Sequence, residues 1–522
     1  MSTMLPMLES ITYVDVLIAF GTAVLGLVVI IVVAFCALAA SFNSITRGNS
    51  IDLTSYVGEK KVSLASRAKV ALLHRLNVGS AKPRDASIQL AAKASPYVDH
   101  LLVTSREGTV AGSSPVNVSK ESTIVIGTIR MGFGHHRIAY AASSWAASAG
   151  TTYFHDLLNI DSPEAQLIKD MDKAYSKGSR LATEIGGPVE KLWGAITKSG
   201  DANALRATYQ MAEHIKPLLL GLPKDTPIIA THSLVGLIAV SCGFTNVINL
   251  VIDNHAQWFI VVPKALNLVQ GPSNYHSLLA MGVPPEEVCL AGHWIPKALV
   301  ENIDADCTAR KHRAAAKKPV RLLIPVGGAG AQRSFVCSLI AAMKAKLEKG
   351  EVQLFLNAGD HAHMKTAFVA ALASIGAVYE VIDSLAGVHT FCDRLRTGAE
   401  PKEAVTLFAF PDYFPAVATT DIVSRVADVL CCKPSELAFY PLPKLMIRRV
   451  GDHEAYSALR ASELGDGTLE LREVADALKY VELMKKPDLL TVMNNCIIDN
   501  NKIGLYNGCK KAVEMAKARA KQ

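Results

Sequence analysis

One stretch, residues 123–141, constrains the fold of this chain more than any other. It opens with an apolar run, Ile124-Val125-Ile126-Gly127, which predicts a buried strand, and it ends in a segment beginning at Arg137 that predicts a helix. Between them lies the turn Gly132-Phe133-Gly134-His135-His136. Such a turn lets the backbone approach a ligand closely, and a helix N-terminus offers N–H groups to an anion. Because Arg137 replaces the third glycine of the dinucleotide fingerprint, a nicotinamide or flavin site is disfavoured.

Beyond this turn, short apolar runs alternate with alanine-rich helical segments, which indicates mostly parallel sheets. The strand candidates of the first half are residues 123–129, 151–155, 227–231, 247–252 and 266–269. A charged hinge, Ala309–Pro319, precedes a second alternation, with strand candidates at residues 321–326, 352–357, 377–382, 404–409 and 429–432. The pattern predicts an α/β fold with two Rossmann-like domains, residues 121–308 and 319–480, followed by a helical tail at residues 481–522.

The N-terminal region predicts one transmembrane helix. Val16–Ala40 holds 25 residues without a charge, which as a helix would span about 38 Å, enough to cross a bilayer. A cleaved signal peptide would need a basic start and a shorter apolar core, whereas residues 1–15 contain no Lys or Arg. Since Lys and Arg are frequent after residue 40, the positive-inside rule predicts that residues 1–15 are outside and that the rest of the chain is cytoplasmic, at the cell membrane.

The next segment, residues 41–120, is predicted to be a basic juxtamembrane linker. Within residues 50–95, apolar side chains interleave with Lys and Arg, so this region either packs an apolar face on the catalytic domain or lies on anionic lipid headgroups. The net charge of +7 favours an acidic partner, but an aromatic content of 6% and the lack of a recognised motif disfavour nucleic acid. The ten cysteines lack C-x-x-C spacing, which indicates a reducing compartment and no zinc site.

Three stretches of the first half carry candidate chemistry. His135 lies at the mouth of the glycine turn, where a general base acting on a bound hydroxyl would sit, although a surface histidine pair without a role fits equally well. Asp253-Asn254-His255 and Trp258 follow a predicted strand, at the sheet edge where α/β folds bind ligands. The alternative is that Trp258 packs in the core and Asp253 caps a helix. Thr231-His232-Ser233 resembles a nucleophile elbow but lacks both glycines, which disfavours a hydrolase.

Two stretches of the second half are candidates for binding a nucleotide. Lys433-Pro434-Ser435-Glu436 follows a predicted strand and predicts a helix start, with Ser435 as N-cap and exposed N–H groups for a diphosphate. Glu436 is otherwise only a first-turn helix charge. Glu454, in Gly451-Asp452-His453-Glu454, could accept both hydroxyls of a ribose.

Taken in order, these motifs resemble the GT-B glycosyltransferases that use UDP-sugars, in particular monogalactosyldiacylglycerol synthases and the peptidoglycan N-acetylglucosaminyltransferase. The resemblance covers about residues 123–480 and rests on the turn closed by His135, the Asp-His…Trp element, Pro272-Ser273, Gly292–Pro296, Gly327-Gly328, Lys433–Glu436 and Gly451–Glu454. The chain departs from the family where Asn254 is inserted, where Ser435 and Glu436 replace glycines, and where Asp452-His453 replaces glutamine.

This resemblance implies a membrane-anchored enzyme that moves a sugar from a UDP-sugar to a membrane lipid at the cytoplasmic face. The implied catalytic residues are His135 and Asp253, and the implied acceptor-binding residues are Gly132, Gly134, His136, His255 and Trp258. The implied donor-binding residues are Gly327, Gly328, Gln332, Lys433, Ser435, Glu436 and Glu454. No metal or other cofactor is expected. The alternatives are a catalytically degenerate binding or scaffold protein on the same fold, or a UDP-sugar epimerase.

Overall fold

The computed structural model describes residues 13–46, 53, 56, 63–78, 86–119, 122–173, 202–326, 332–449 and 454–521. Within these ranges two sheets follow one another along the chain, one of nine strands and one of six. The predicted fold class, two Rossmann-like domains preceded by one apolar helix, is confirmed. Gly327, Gly328 and Gly451–His453 lie outside the described residues.

The first sheet has the strand order β3-β1-β2-β5-β4-β6-β7-β8-β9, and its neighbours are parallel from β2 onward. Its strands are β1 (Leu90–Ala94), β2 (Leu101–Arg106), β3 (Ser114–Pro115), β4 (Thr123–Thr128), β5 (Thr151–Asp156), β6 (Ile228–Ala230), β7 (Val247–Leu250), β8 (Leu266–Val269) and β9 (Val288–Leu290). Every residue of β4, β6 and β7 is buried, as expected for central parallel strands covered on both faces.

The helices of the first half are α1 (Tyr13–Thr46), α2 (Leu64–Val78), α3 (Gly134–Ala146), α4 (Ala202–His214), α5 (Pro217–Leu220), α6 (Ser233–Ser241), α7 (Pro272–Met281), α8 (Lys297–Val300) and α9 (Ile303–Ala315). Residues 163–173 are helical as well. Apolar clusters lie on both faces of the sheet, one lined by α4 and α6 and the other by α3.

The second sheet is entirely parallel, in the order β12-β13-β11-β10-β14-β15. Its strands are β10 (Val320–Pro325), β11 (Val352–Gly359), β12 (Tyr379–Ile382), β13 (Val405–Ala409), β14 (Val429–Cys432) and β15 (Lys444–Met446). Its helices, and those of the tail, are α10 (Arg333–Ala342), α11 (Lys344–Glu348), α12 (Ala362–Ser374), α13 (Leu385–Arg396), α14 (Tyr413–Ser424), α15 (Ala455–Glu463), α16 (Val474–Met484), α17 (Pro487–Lys502) and α18 (Gly508–Ala520).

The last helix, α18, returns to the first sheet and packs against α3. Cys509, Ala512 and Ala516 share one buried cluster with Ala142 of α3. These small side chains allow the two helices to approach closely. The end of the helical tail therefore belongs to the packing of the first domain.

Two segments predicted to be irregular are regular. The interpretation of residues 41–120 as a linker is wrong for residues 90–115, which add β1, β2 and β3 to the first sheet. Residues 90–92 are buried there, because they pair with β2 and cover the sheet edge. The predicted hinge 309–319 is also wrong over most of its length, since it continues α9. Arg310 is 4% exposed and donates to the carbonyl oxygens of Ala427 and Ser424, which anchors this helix to the second domain.

The apolar helix α1 agrees with the predicted membrane span. Phe20–Ile45 is long and apolar enough to cross a membrane, with a mean hydropathy of 3.1, although signal sequences share these properties. Residues 20–37 are exposed, whereas Ala39 and Phe42 are buried where α1 packs against α2. The Arg67 guanidinium of α2 lies 5.9 Å from the ring centre of Phe42. Ala68, Val70 and Ala71 of α2 are buried and the helix contacts both α1 and α4, which agrees with the interpretation that it packs on the first domain, whereas Leu64 and Leu72 are exposed.

A buried histidine in β5 predicts that the protein loses stability in acid. The ring nitrogens of His155 lie 2.9 Å from Thr104 Oγ1 and 3.1 Å from the Leu218 carbonyl oxygen, and burial lowers its pKa to about 4. The pKa of histidine in the unfolded chain is about 6.5, so between pH 6.5 and pH 4 the unfolded chain binds more protons than the folded protein. The free energy of unfolding therefore decreases as the pH is lowered. Because of His155, we expect the free energy of unfolding to be about 2 kcal/mol lower at pH 5 than at pH 7. Denaturant unfolding of the wild type and of His155→Gln at pH 7 and pH 5 measures this difference. An equal loss of stability in the two proteins would contradict the prediction.

Candidate active site

The glycine turn of the first domain lies against the second domain. Gly132 adopts a φ of +81°, a conformation that favours glycine, and its carbonyl oxygen accepts a hydrogen bond of 3.2 Å from the Tyr413 hydroxyl of α14. Phe133 packs among the core residues of the second domain, with its ring centre 5.2 Å from that of His361. A Cβ atom on Gly134 would lie 3.1 Å from Glu436 Oε2. Gly132 is thus favoured by its left-handed backbone, and Gly134 leaves room for the close approach of Glu436.

His135 lies at the first turn of α3 and is partly exposed. Its Nδ1 atom is 2.6 Å from the carbonyl oxygen of Thr231, at the end of β6. Because a carbonyl oxygen only accepts hydrogen bonds, Nδ1 carries the proton and Nε2 keeps its lone pair. Burial lowers the pKa of His135, although the Thr231 carbonyl and the carboxylates of Asp253 and Glu436 oppose this shift. At neutral pH the ring is therefore neutral and can accept a proton at Nε2.

The residues after β7 surround this histidine from the other side. Asp253 is near enough to His135 for its charge to act on the ring, and its carbonyl oxygen accepts a 2.8 Å hydrogen bond from Asn274. The ring of His255 stacks on that of Tyr456 of α15, with centres 4.3 Å apart and planes 13° apart. The residues after β7 thus lie where the two domains meet, and Asp253 is close to His135. The region between the domains that is bordered by His135, Asp253 and Tyr456 is called the cleft.

Two residues predicted to bind the acceptor point away from this cleft. His136 is 4% exposed, its Nε2 lies 3.2 Å from Asp156 Oδ2, and its ring meets those of Phe154 and Tyr413 edge-on. Trp258 is 7% exposed and belongs to the core of the first domain. Their predicted contact with a ligand is wrong for this arrangement, since neighbouring residues on a helix point in different directions and the indole fills the apolar core.

On the second domain, the structure brings two predicted donor-binding residues together. Lys433 Nζ pairs with the Glu454 carboxylate, which is 6% exposed. Burial would lower the pKa of Lys433, but Glu454 and Glu436 raise it above its usual value. Gln332 precedes α10 in a left-handed conformation, with a φ of +79°, and its buried Nε2 has no partner among the described residues.

The predicted helix start after Lys433 is wrong. Ser435 precedes only a 3-10 turn, Glu436–Phe439, and its side chain caps no N–H group of that turn. A turn of four residues has too few aligned peptides for an appreciable dipole, so it offers little to a diphosphate. Glu436 instead turns toward the first domain, where it meets Arg137.

Arg137 is a central residue that sequence reasoning noticed only as a missing glycine. It is 2% exposed, and its Nε lies 3.2 Å from Glu436 Oε1. Its Nη1 donates to the Val417 carbonyl oxygen at 3.1 Å and lies 3.4 Å from Asp421 Oδ1. Burial would lower the pKa of Arg137, but Tyr440, Asp421 and Glu436 raise it, while the pKa of Glu436 is lowered against the effect of its burial. This ion pair joins the domains directly behind the glycine turn.

His232 is the second residue that the motif search left without a role. It connects β6 to α6, and its ring centre lies 4.4 Å from that of His135. Ser233, the nucleophile position of such an elbow, is not among the residues with a positive φ, so this connection lacks the strained turn of a nucleophile elbow. The sequence signal was present, because a polar residue after a central parallel strand lies at the ligand-binding edge of the sheet.

The sequence matches two domain families, each described as a domain of unknown function. DUF6937 matches residues 54–279 and DUF6938 matches residues 283–517. No curated protein matches the sequence.

Solved structures with a similar fold include the UDP-GlcNAc 2-epimerase from Neisseria meningitidis bound to UDP-GlcNAc, at 13% identity over 75% of this chain and 98% of that chain, with a TM-score of 0.41. The α,α-trehalose 6-phosphate synthase from Burkholderia multivorans is 12% identical over 76% of this chain and 98% of that chain, with a TM-score of 0.41. MurG from Acinetobacter baumannii is 13% identical over 76% of this chain and 99% of that chain, with a TM-score of 0.33. Likeness at this level carries no argument about chemistry. Each half of the chain matches its own family, and the division falls between α7 and β9.

Proposed function

We propose that this protein is a glycosyltransferase that moves a sugar from a UDP-sugar to the hydroxyl group of a membrane lipid. The observation that carries the proposal is His135, a neutral imidazole whose Nε2 lone pair has no partner among the described residues, in a cleft between two Rossmann-like domains. A sugar-accepting hydroxyl has a pKa far above neutrality, so a base that takes its proton in the transition state accelerates attack. Asp253 and Glu436 would then stabilise the imidazolium that forms.

The donor belongs, in this proposal, to the second domain. Gly327, Gly328 and Gln332, which precede α10 in the sequence, are proposed to bind the diphosphate, and the adjacent Lys433 and Glu454 to bind the nucleoside. Lys433 supplies a positive charge for a phosphate, and Glu454 supplies acceptors for ribose hydroxyls once a ligand competes for the ion pair. Backbone N–H groups and Lys433 would stabilise the leaving diphosphate without a metal.

The metal-free donor site gives a direct test. Calorimetry should detect UDP binding to the full-length protein in detergent, and transfer to extracted membrane lipid from a panel of UDP-sugars should persist in EDTA. Lys433→Met should weaken UDP binding roughly tenfold or more, as expected for loss of a charged hydrogen bond, whereas Lys479→Met, an exposed lysine of α16, should leave it unchanged. Activity that disappears in EDTA and returns only with a divalent ion would overturn the metal-free account.

One observation favours a second candidate, a binding protein without catalysis. The Glu436 carboxylate lies beside the glycine turn at the start of α3, at a position where the family resemblance expects glycine. A carboxylate there would repel a diphosphate, so an inactive relative would keep the fold and lose the donor. Calorimetry without UDP binding would support this candidate, whereas epimerisation of a UDP-sugar without any lipid would assign the chain to the epimerase alternative.

The acceptor proposal requires the domains to be at the cytoplasmic face, with α1 crossing the membrane once and the basic residues that directly follow it near anionic headgroups. The basic residues that follow α1 predict this orientation. Protease added outside intact cells should leave a C-terminal tag in place, and permeabilised cells provide the control in which the tag is lost. Cleavage of the large domains from outside would contradict this topology.

A further inference from the structure

The hydrogen bond to His232 determines which of its ring nitrogens carries the proton. Nδ1 of His232 accepts a 3.1 Å hydrogen bond from the backbone N–H of Leu234, in the first turn of α6. A nitrogen that accepts from a backbone N–H cannot itself be protonated, so the neutral ring carries its proton on Nε2. Burial and the neighbouring His135 lower the pKa of His232 well below its usual value, which keeps the ring neutral.

His135 has the opposite arrangement. Its Nδ1 donates to the Thr231 carbonyl oxygen at 2.6 Å, and its Nε2 is the unprotonated nitrogen. The two rings lie 4.4 Å apart between centres with planes at 49°. The groups that set both tautomers, a carbonyl at residue 231 and an amide at residue 234, belong to one short connection between a central strand and a helix. Neither Nε2 atom has a hydrogen-bond partner among the residues that the structure describes.

We propose that His135 and His232 together form a recognition site for a neutral alcohol, with His232 donating from Nε2 to the hydroxyl oxygen whose proton His135 accepts. This inference rests on the proposed function and names its acceptor class. In the transfer step, the hydroxyl O–H bond breaks as its oxygen bonds to the anomeric carbon of the sugar. The bond from that carbon to UDP breaks, UDP leaves with the electron pair, and the proton ends on His135 Nε2.

The donor–acceptor pair discriminates among chemical classes. A hydroxyl group donates one hydrogen bond and accepts another, so it satisfies both nitrogens. An ionised carboxylate or phosphate only accepts and would place its oxygen against the lone pair of His135, near Asp253 and Glu436. An ammonium group only donates and would leave the His232 N–H unpaired. Unpaired polar groups in a buried site cost binding free energy, so alcohols are selected over both.

The tautomers can be measured without any substrate. In full-length protein labelled with ¹⁵N-histidine, the spectra at pH 7.5 should show His135 protonated at Nδ1 and His232 protonated at Nε2, with signals assigned through His135→Gln and His232→Asn. Both rings in the same tautomer, or either one charged, would overturn the proposal. This measurement needs no UDP-sugar. It therefore still tests the inference if the protein does not bind UDP and the proposed function is wrong.

Kinetics of two His232 variants distinguish recognition from simple helix capping. Asparagine is a good N-cap, so His232→Asn keeps an acceptor for the Leu234 N–H but removes the distal donor, whereas His232→Ala removes both. Both should lower kcat/KM for the lipid acceptor roughly tenfold or more, with UDP affinity unchanged. Ser384→Ala, which removes the side-chain cap of α13 far from the cleft, provides a matched control and should transfer normally. If His232→Asn retained wild-type kinetics while His232→Ala did not, His232 would be only a cap.

A matched set of probes tests the acceptor class. Dodecanol, dodecanoate and dodecylamine share one chain and differ in the group offered to the two histidines. With a UDP-sugar that supports transfer to extracted lipid, only the alcohol should be glycosylated or should compete with the lipid. Preferential use of the carboxylate or the amine would overturn the inference, and with it the hydroxyl acceptor of the proposed function, while leaving sugar transfer from a UDP-sugar intact.

Discussion

Replacement of His135 by alanine is expected to lower kcat by roughly 10²–10⁴-fold, the usual contribution of a general base, with little change in UDP affinity. The reason is geometric: the hydrogen bond to the Thr231 carbonyl places the proton on Nδ1 and leaves Nε2 with a lone pair that has no partner among the described residues. Single-turnover transfer from a saturating UDP-sugar measures the effect, and calorimetry with UDP measures donor binding separately.

His136→Ala is the matched control for this experiment, because it removes the neighbouring imidazole. That ring is buried against Asp156, so its loss should lower stability and change kcat only mildly. If His135→Ala kept near-normal turnover while Asp253→Asn abolished it, Asp253 would have to be the base.

Arg137→Met is expected to destabilise the protein by about 3–5 kcal/mol, the range found when one partner of a buried ion pair is removed. The methionine retains much of the apolar bulk, but Glu436 and Asp421 lose their cation and the Val417 carbonyl oxygen loses its donor. Denaturant unfolding measures the loss. The double variant Arg137→Met/Glu436→Gln should recover part of it, because it leaves one fewer buried charge unpaired.

Arg130→Met provides the comparison for an exposed pair at the same interface. The Arg130 side chain is 46% exposed, its Nη2 lies 3.3 Å from Asp360 Oδ2, and its guanidinium stacks on Tyr413. Its loss should cost about 1 kcal/mol or less. Equal destabilisation by the two arginine variants would contradict the view that burial makes Arg137 the main link between the domains.

The local parts of this fold could be predicted, since each depends on residues close in sequence. The apolar runs gave β4, β8 and β14 within one residue of their observed ends, and the alternation gave two parallel sheets. The glycines of the first turn also had their expected consequence, a close approach to the neighbouring domain. Short strands near the edge of the sheet, such as β1, were missed, because five residues with one lysine carry little periodicity.

Long-range contacts could not be predicted in the same way. Arg137 and Glu436 are 299 residues apart, and no local pattern indicates that they pair. The periodicity of a helix also does not say which face meets the cleft, so His135 and His136 could be ranked only by resemblance. Trp258 fits a ligand stack and a core position equally well until its neighbours are known. The link between Lys433 and Glu454 was easier to anticipate, because both were assigned to one ligand.

The way α1 joins the protein has a consequence for how it would meet its acceptor. Its exposed part, residues 20–37, corresponds to about 27 Å of helix, close to the roughly 30 Å of a bilayer's hydrocarbon core. The next turn already carries Ala39 and Phe42, which are buried in the protein. If α1 spans a bilayer, this geometry leaves the anchor no slack, so the first domain would rest on the bilayer surface. Under the proposed function, its search for a lipid would then be reduced from three dimensions to two.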